Sequence, residues 1–210
     1  MAEELERKYL DVRRDDLRPR LAALGAKPAE APHFEANVLY DLPDGALRAR
    51  HELLRIRTRE WADHADCRLT FKAPLPDMLV AGRPVKRREE IELGVDDARA
   101  MREILLRLGY RELARYEKVR ESWTCGGAHV DMDELPFMHC VEIEASAPVL
   151  EKLERRLGLD TSPVSANSYH VLYLDWLAAR NLPRQDSFVF DRAERARLRA
   201  ELGLGTDDPS

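Results

Sequence analysis

The chain has 210 residues, 44% hydrophobic and 35% charged, with 34 basic and 39 acidic side chains and a net charge of -5. That size fits one domain with a short appendage, and the charge balance argues against a nucleic-acid binder built on a basic patch. No apolar run approaches the roughly 18 residues of a bilayer span, the acidic start lacks a secretory core, and Cys67, Cys125 and Cys140 form neither a disulfide framework nor a zinc pattern, so a reduced cytoplasmic protein is expected.

The first predicted element is a strand, "ELERKYL", in which Glu4, Glu6 and Lys8 alternate with Leu5 and Tyr9. Alternate side chains of a strand share a face, so two carboxylates and an ammonium stand together on a side that an apolar core could not accept. "DDLRPRLAALGA" predicts a helix from an Asp cap to Gly25, with Pro19 tolerated only in its first turn. Pro43-Asp44-Gly45 marks a turn, and "LLRIRT" then places Arg55 and Arg57 opposite Leu54 and Ile56. "RLTFKA" sets Arg68, Thr70 and Lys72 against Leu69 and Phe71, a longer loop runs through "APLPDMLVAGRP", and "KRREEIEL" sets Arg88, Glu90 and Glu92 against Ile91 and Leu93.

"DDARAMREILLRLGY" predicts a helix capped by Asp96 or Asp97 and stopped by Gly109, with Ala98, Met101, Ile104, Leu105 and Leu108 in one stripe. Three more charged strands follow. Lys118 and Arg120 flank Val119, Asp131 and Asp133 alternate with Val130 and Met132 after the Gly126-Gly127 turn, and Glu142 and Glu144 alternate with Val141 and Ile143. "APVLEKLERRLGL" ends at Gly158, "SANSYHVLYLDWLAARN" is a further helix, and "DRAERARLRAEL" is a more polar one. Short connections imply antiparallel pairing, and the order reads as an α+β fold. Residues 1–180 are expected to form the domain and 181–210 a C-terminal helical extension.

A solvated sheet face would explain any one of these strands. The set is different, because acids and bases arrive in pairs on separate strands rather than interspersed. If the sheet closes with its apolar face outward, the charges line a lumen: the bases cradle an anion and the acids hold a divalent cation through oxygen. A metal-bound polyphosphate needs both. The six histidines show no metal-ligand spacing, the three tryptophans lack interleaved bases, and neither a Gly-rich phosphate loop nor a Ser-His-Asp arrangement occurs.

The combination resembles the CYTH superfamily, the triphosphate tunnel metalloenzymes that include class IV adenylyl cyclases and thiamine triphosphatase. "ELERK" resembles its Glu-x-Glu-x-Lys signature, and "LYDLPDGAL", "LLRIR", "LTFKAP", "REEIEL", "EKVR", "VEIE" and "SYHVL" follow in the family's order, from residue 3 to about 177. The resemblance implies a closed eight-stranded antiparallel barrel with helices outside, Mg²⁺ or Mn²⁺, and a triphosphate-bearing small molecule such as ATP or inorganic triphosphate. It implies no nucleic acid and no membrane, and leaves a homodimer open. Carried over by position, Glu4, Glu6, Glu142 and Glu144 fall on metal-binding acids, with Asp133 a better fit than Asp131. Lys8, Arg55, Arg57, Lys72, Lys118 and Arg120 fall on triphosphate contacts, and Arg88 and Glu90 share their parity. No catalytic base is assigned. The "DMDELPFMHCVEIE" stretch resembles the cyclase branch, and Leu39 stands where thiamine triphosphatases carry part of a Lys-Tyr pair. The expected activity is therefore conversion of ATP to cyclic AMP and pyrophosphate, followed by triphosphate hydrolysis and then by triphosphate sensing without turnover.

Overall fold

A computed structural model of the chain describes residues 5–75, 78–80, 83–85 and 88–205, without the side chains of 78–80, 83–85 and 88. Its strands are β1 (Leu5–Leu10), β2 (Lys27–Asp41), β3 (Leu53–Glu60), β4 (Ala65–Pro74), β5 (Met78–Val80), β6 (Arg83–Val85), β7 (Arg88–Gly94), β8 (Arg111–Cys125), β9 (Ala128–Leu135), β10 (Met138–Ala145) and β11 (Val164–Ser165). Its helices are α1 (Arg14–Ala23), α2 (Ala46–Ala49), α3 (Ala98–Arg107), α4 (Ala147–Leu157), α5 (Tyr169–Ala179) and α6 (Arg192–Glu201). Among the described residues, no helix is long and apolar enough to cross a membrane.

The strand pairs with recorded register are all antiparallel, as the short connections require. The main sheet has nine strands in the order β11-β1-β10-β9-β8-β2-β3-β4-β7, and β5-β6 stand apart as a two-stranded sheet. The expected closed eight-stranded barrel is not formed. Closure would need a second hydrogen-bonded partner for β7, yet among the described residues β7 pairs only with β4, and the outer edge of β1 is taken by β11 through Lys8↔Ser165 and Tyr9↔Val164. The "APLPDMLVAGRP" stretch is also more than a loop: its described parts form the β5–β6 hairpin, with Met78 opposite Val85.

The described residues fall into two compact units, one within 1–32, 76–87 and 119–172 and the other within 33–75, 88–118 and 173–210. In the first, Leu17 and Leu21 of α1 and Leu150 and Leu157 of α4 bury against Met132 and Ile143 on the apolar face of the strands. Pro19 lies inside α1 rather than in its first turn. It removes one N–H from the helix ladder, and the burial of Leu17 and Leu21 on either side holds the turn in place. Gly158 ends α4 in the left-handed conformation, φ 67, as its position predicts. Arg7 shares the apolar face of β1 with Leu5 and Tyr9 and meets Glu154 of α4 at 2.9 Å, both side chains buried.

In the second unit, Tyr40, Leu47, Leu54, Ile56 and Leu105 form the core, with α3 on the apolar side of β3. Asp97 caps α3 by accepting from the Ala100 N–H. The C-terminal segment is tied to this unit. The Phe188 N–H donates to the Arg115 carbonyl, Glu117 N–H donates to the Phe188 carbonyl, and Arg199 grips Glu60 at 3.0 Å.

Candidate functional site

In the first unit, pairing fixes which charges are neighbours. Glu6 lies opposite Glu144, Lys8 opposite Glu142, Glu142 opposite Asp131, and Arg120 opposite Asp133, all on the face away from the apolar core. Both Asp131 and Asp133 point to this face. Arg120 is the hub of the group. Its guanidinium donates to both oxygens of Asp133, at 2.7 and 2.6 Å, and to Glu142 at 2.7 Å, and it pairs with Asp131. Asp133 also accepts from the Tyr169 hydroxyl at the start of α5, and Asp131 from Ser122 at 2.6 Å, with His129 at 2.9 Å. Lys8 pairs with Glu6 and Glu142.

The electrostatics follow from this packing. Burial would lower the Lys8 ammonium, but Glu142 and Glu6 outweigh it and hold the group above its ordinary value. Burial would raise Asp131, yet Arg120, His129 and Ser122 bring it down to about 2. Glu144 behaves oppositely. Burial raises it, and the like charges of Glu6, Asp131 and Glu142 raise it further. Among the described residues its carboxylate meets no hydrogen-bond donor and no ion-pair partner.

Those donors suit a hard divalent cation, which takes carboxylate oxygens. Glu144 beside Glu6 is the place where added positive charge would relieve repulsion. Asp131, Asp133 and Glu142 are instead held by Arg120 and Lys8, and among the described residues no three His, Cys, Asp or Glu side chains stand close enough to share one ion. Glu4 lies outside the described residues.

In the second unit the polar face is buried rather than wet. Glu35 and Asn37 are each 1% exposed, Thr70 0%, Lys118 3% and Arg55 7%. Across β2, β3 and β4, Asn37 faces Arg57 and Arg57 faces Arg68, while Leu39 faces Arg55 and Arg55 faces Thr70. Several of these charges form closed pairs. Arg57 donates to Glu92 at 2.8 Å, Arg68 to the other oxygen of Glu92 at 2.8 Å, and Lys72 to Glu90 at 2.7 Å. Glu35 sits 3.7 Å from Arg57 and 3.4 Å from Lys118. Arg55 is the exception: its one hydrogen bond runs to the Tyr116 hydroxyl at 2.7 Å, and among the described residues no carboxylate pairs with it. The Arg88 side chain lies outside the described set.

Glu35, Asn37 and Tyr116 were not singled out in the sequence. The signal was present in "HFEANV", where His33, Glu35 and Asn37 alternate with Phe34, Ala36 and Val38. Tyr116 is fixed from behind, since its ring stacks on Phe188 with centroids 5.2 Å apart, and Phe188 packs on Tyr173 at 5.0 Å.

The chain is similar to known proteins over most of its length. A Methanocaldococcus jannaschii protein named as a proposed adenylate cyclase is 28% identical over 125 residues, 59% of this chain and 66% of that protein, just under two thirds of its length. A Pyrococcus horikoshii structure superposes with a TM-score of 0.68 at 26% identity, covering 82% of this chain and 99% of the other. A Hippeastrum protein, described as a proposed adenylyl cyclase with a dominant triphosphatase activity, shares the fold at 19% identity and a TM-score of 0.56, covering 87% and 98%. The family model of the CYTH domain matches residues 2–155, which takes in every strand from β1 to β10 and so both sets of paired charges. The chain belongs to the CYTH domain family.

Proposed function

We propose that the protein is a metal-dependent enzyme acting on a triphosphate-bearing small molecule, and that it converts ATP to cyclic AMP and pyrophosphate. The observation that carries the triphosphate reading is Arg55. This buried guanidinium has one neutral hydrogen bond and, among the described residues, no carboxylate within ion-pair distance, so it keeps N–H donors for a bound anion. Arg57, which also donates to Glu92, and Lys118 both lie beside Glu35, so further basic side chains stand in the same unit. Guanidinium groups bind phosphate oxygens through two parallel N–H donors, so Arg55 and Arg57 would hold and orient the phosphate chain, with Lys118 and Lys72 neutralising it.

Glu6, Glu142 and Glu144 are the oxygen donors proposed for Mg²⁺ or Mn²⁺, with Asp131 or Asp133 beside them. When bound, the ion supplies charge neutralisation on the phosphate oxygens. Lys8 and Arg120 hold the surrounding carboxylates in place. In the cyclase reaction the ribose 3′-oxygen bonds to the α-phosphorus, the bond from that phosphorus to pyrophosphate breaks, and the 3′-hydroxyl proton is released. The name of the Methanocaldococcus jannaschii relative supports this reading. Hydrolysis releasing orthophosphate is the second reading, favoured by the activity described for the Hippeastrum protein of the same fold.

Product analysis by phosphorus NMR tests the proposal. With Mg²⁺ or Mn²⁺, ATP should give cyclic AMP and pyrophosphate, and inorganic triphosphate should only compete. Orthophosphate from inorganic triphosphate without cyclic AMP from ATP would replace the cyclase reading by the hydrolytic one. Binding of both without turnover of either would reduce the protein to a sensor.

A further inference from the structure

Asn37 lies on the polar face of β2, 1% exposed, and neither its amide nitrogen nor its carbonyl oxygen has a hydrogen-bond partner among the described residues. Buried carboxamides are almost always satisfied, because an unmade hydrogen bond leaves the full loss of hydration uncompensated. A purely structural role would be served better by an apolar residue, and Leu39, two positions along the same face, is one. The neighbours share the defect. Arg57, directly across from Asn37, and Arg55, next along that face of β3, each have a buried Nε–H without a hydrogen-bond partner among the described residues. Three adjacent residues thus present unpaired donors, together with one unpaired acceptor.

We infer that Asn37 is a ligand-contacting residue of the anion site, binding the condensed phosphate chain alongside Arg55 and Arg57. Its amide N–H donates to a phosphoryl oxygen. Its carbonyl accepts from a protonated terminal oxygen or from a water on the ligand, which no cationic side chain can do. The inference rests on the triphosphate reading above and adds the residue that senses the chain's neutral O–H groups.

Two variants and two ligands test it. Asn37→Leu keeps the size and removes both polar atoms, and Asn37→Asp keeps the shape and adds a negative charge. By titration calorimetry, inorganic triphosphate should bind Asn37→Leu at least tenfold more weakly than the parent, and Asn37→Asp more weakly still. The unliganded Asn37→Leu protein should melt at the same temperature or higher, since its buried unmet groups are gone. ATP should lose affinity by the same factor as inorganic triphosphate. Affinity within twofold of the parent in both variants would overturn the inference and leave the triphosphate reading intact. A loss confined to ATP would overturn it too, by moving Asn37 from the phosphates to the nucleoside. If the parent itself bound neither ligand, the triphosphate reading would fall first.

Discussion

Arg120→Met tests whether one guanidinium holds the acidic cluster together. The side chain meets Asp131, Asp133 and Glu142, and those three carboxylates are 8%, 0% and 11% exposed. Removing it leaves three poorly hydrated negative charges with Lys8, Tyr169, Ser122 and His129 as their remaining named partners. Breaking a buried pair by deleting one partner costs about 3–5 kcal/mol, which for a chain of this size lowers the melting temperature by about 6–20 °C. The effect should depend on pH. In the parent, Asp131 is held at about 2 against an ordinary 3.8, so its contribution is fully present above about 4 and is lost as pH falls through 2. In the variant the strongest lowering partner is gone and burial raises the group instead. Its stability should then fall as pH rises from 4 to 7, and the gap between the two proteins should close toward pH 4. Mg²⁺ or Mn²⁺ should recover part of the loss, because the freed carboxylates become oxygen ligands. Melting curves by circular dichroism at several pH values, with and without the cation, provide the readout. A melting temperature within about 2 °C of the parent at pH 7 would refute the hub role.

Arg55→Met should leave the fold intact by circular dichroism, since the parent's guanidinium makes one hydrogen bond, to the Tyr116 hydroxyl, while calorimetry shows triphosphate affinity falling by about 1.5–3 kcal/mol. Arg102→Met, which removes an exposed pair with Glu112, should bind as the parent does, and equal losses at both positions would mean that Arg55 makes no contact with the ligand. Glu6→Gln and Glu142→Gln should each abolish turnover with the fold intact by circular dichroism; full activity in EDTA, or in both variants, would sink the metal assignment. Arg7→Met should cost about 3–5 kcal/mol by breaking its buried pair with Glu154, with the double change to methionine recovering most of it. Triphosphate affinity of the folded fraction should be untouched in both, so a matching fall in affinity would tie this pair to the ligand site.

Strand positions were legible wherever charge and apolar residues alternated strictly, as in β3, β4, β9 and β10, because one face had to reach an apolar core. The pairing of Glu142 with Lys8 and of Asp133 with Arg120 follows from those strands once their register is known, but register is set by turns and neighbours rather than by any one strand. β2 was harder to see. Pro28, Pro32 and its alanines weaken the strand signal at its start, and Glu35 and Asn37 read as isolated polar residues until β3 stands beside them. The sheet's failure to close was not legible at all. Val164 and Ser165 of β11 take the outer edge of β1, a contact between positions far apart in sequence.

The division of the chain between its two units has a consequence for synthesis. The backbone passes from one unit to the other after residues 32, 75, 87, 118 and 172, so each is assembled from three separate stretches. Arg55, Arg57, Lys72 and Lys118 of the second unit have all been translated once Lys118 is made, yet Phe188, which backs Tyr116 and through it Arg55, comes only later. A nascent chain therefore carries these charges before it has the aromatic residue that backs Tyr116. Contacts this distant in sequence slow folding, so Tyr116 and Arg55 reach their final setting only after Phe188 has left the ribosome.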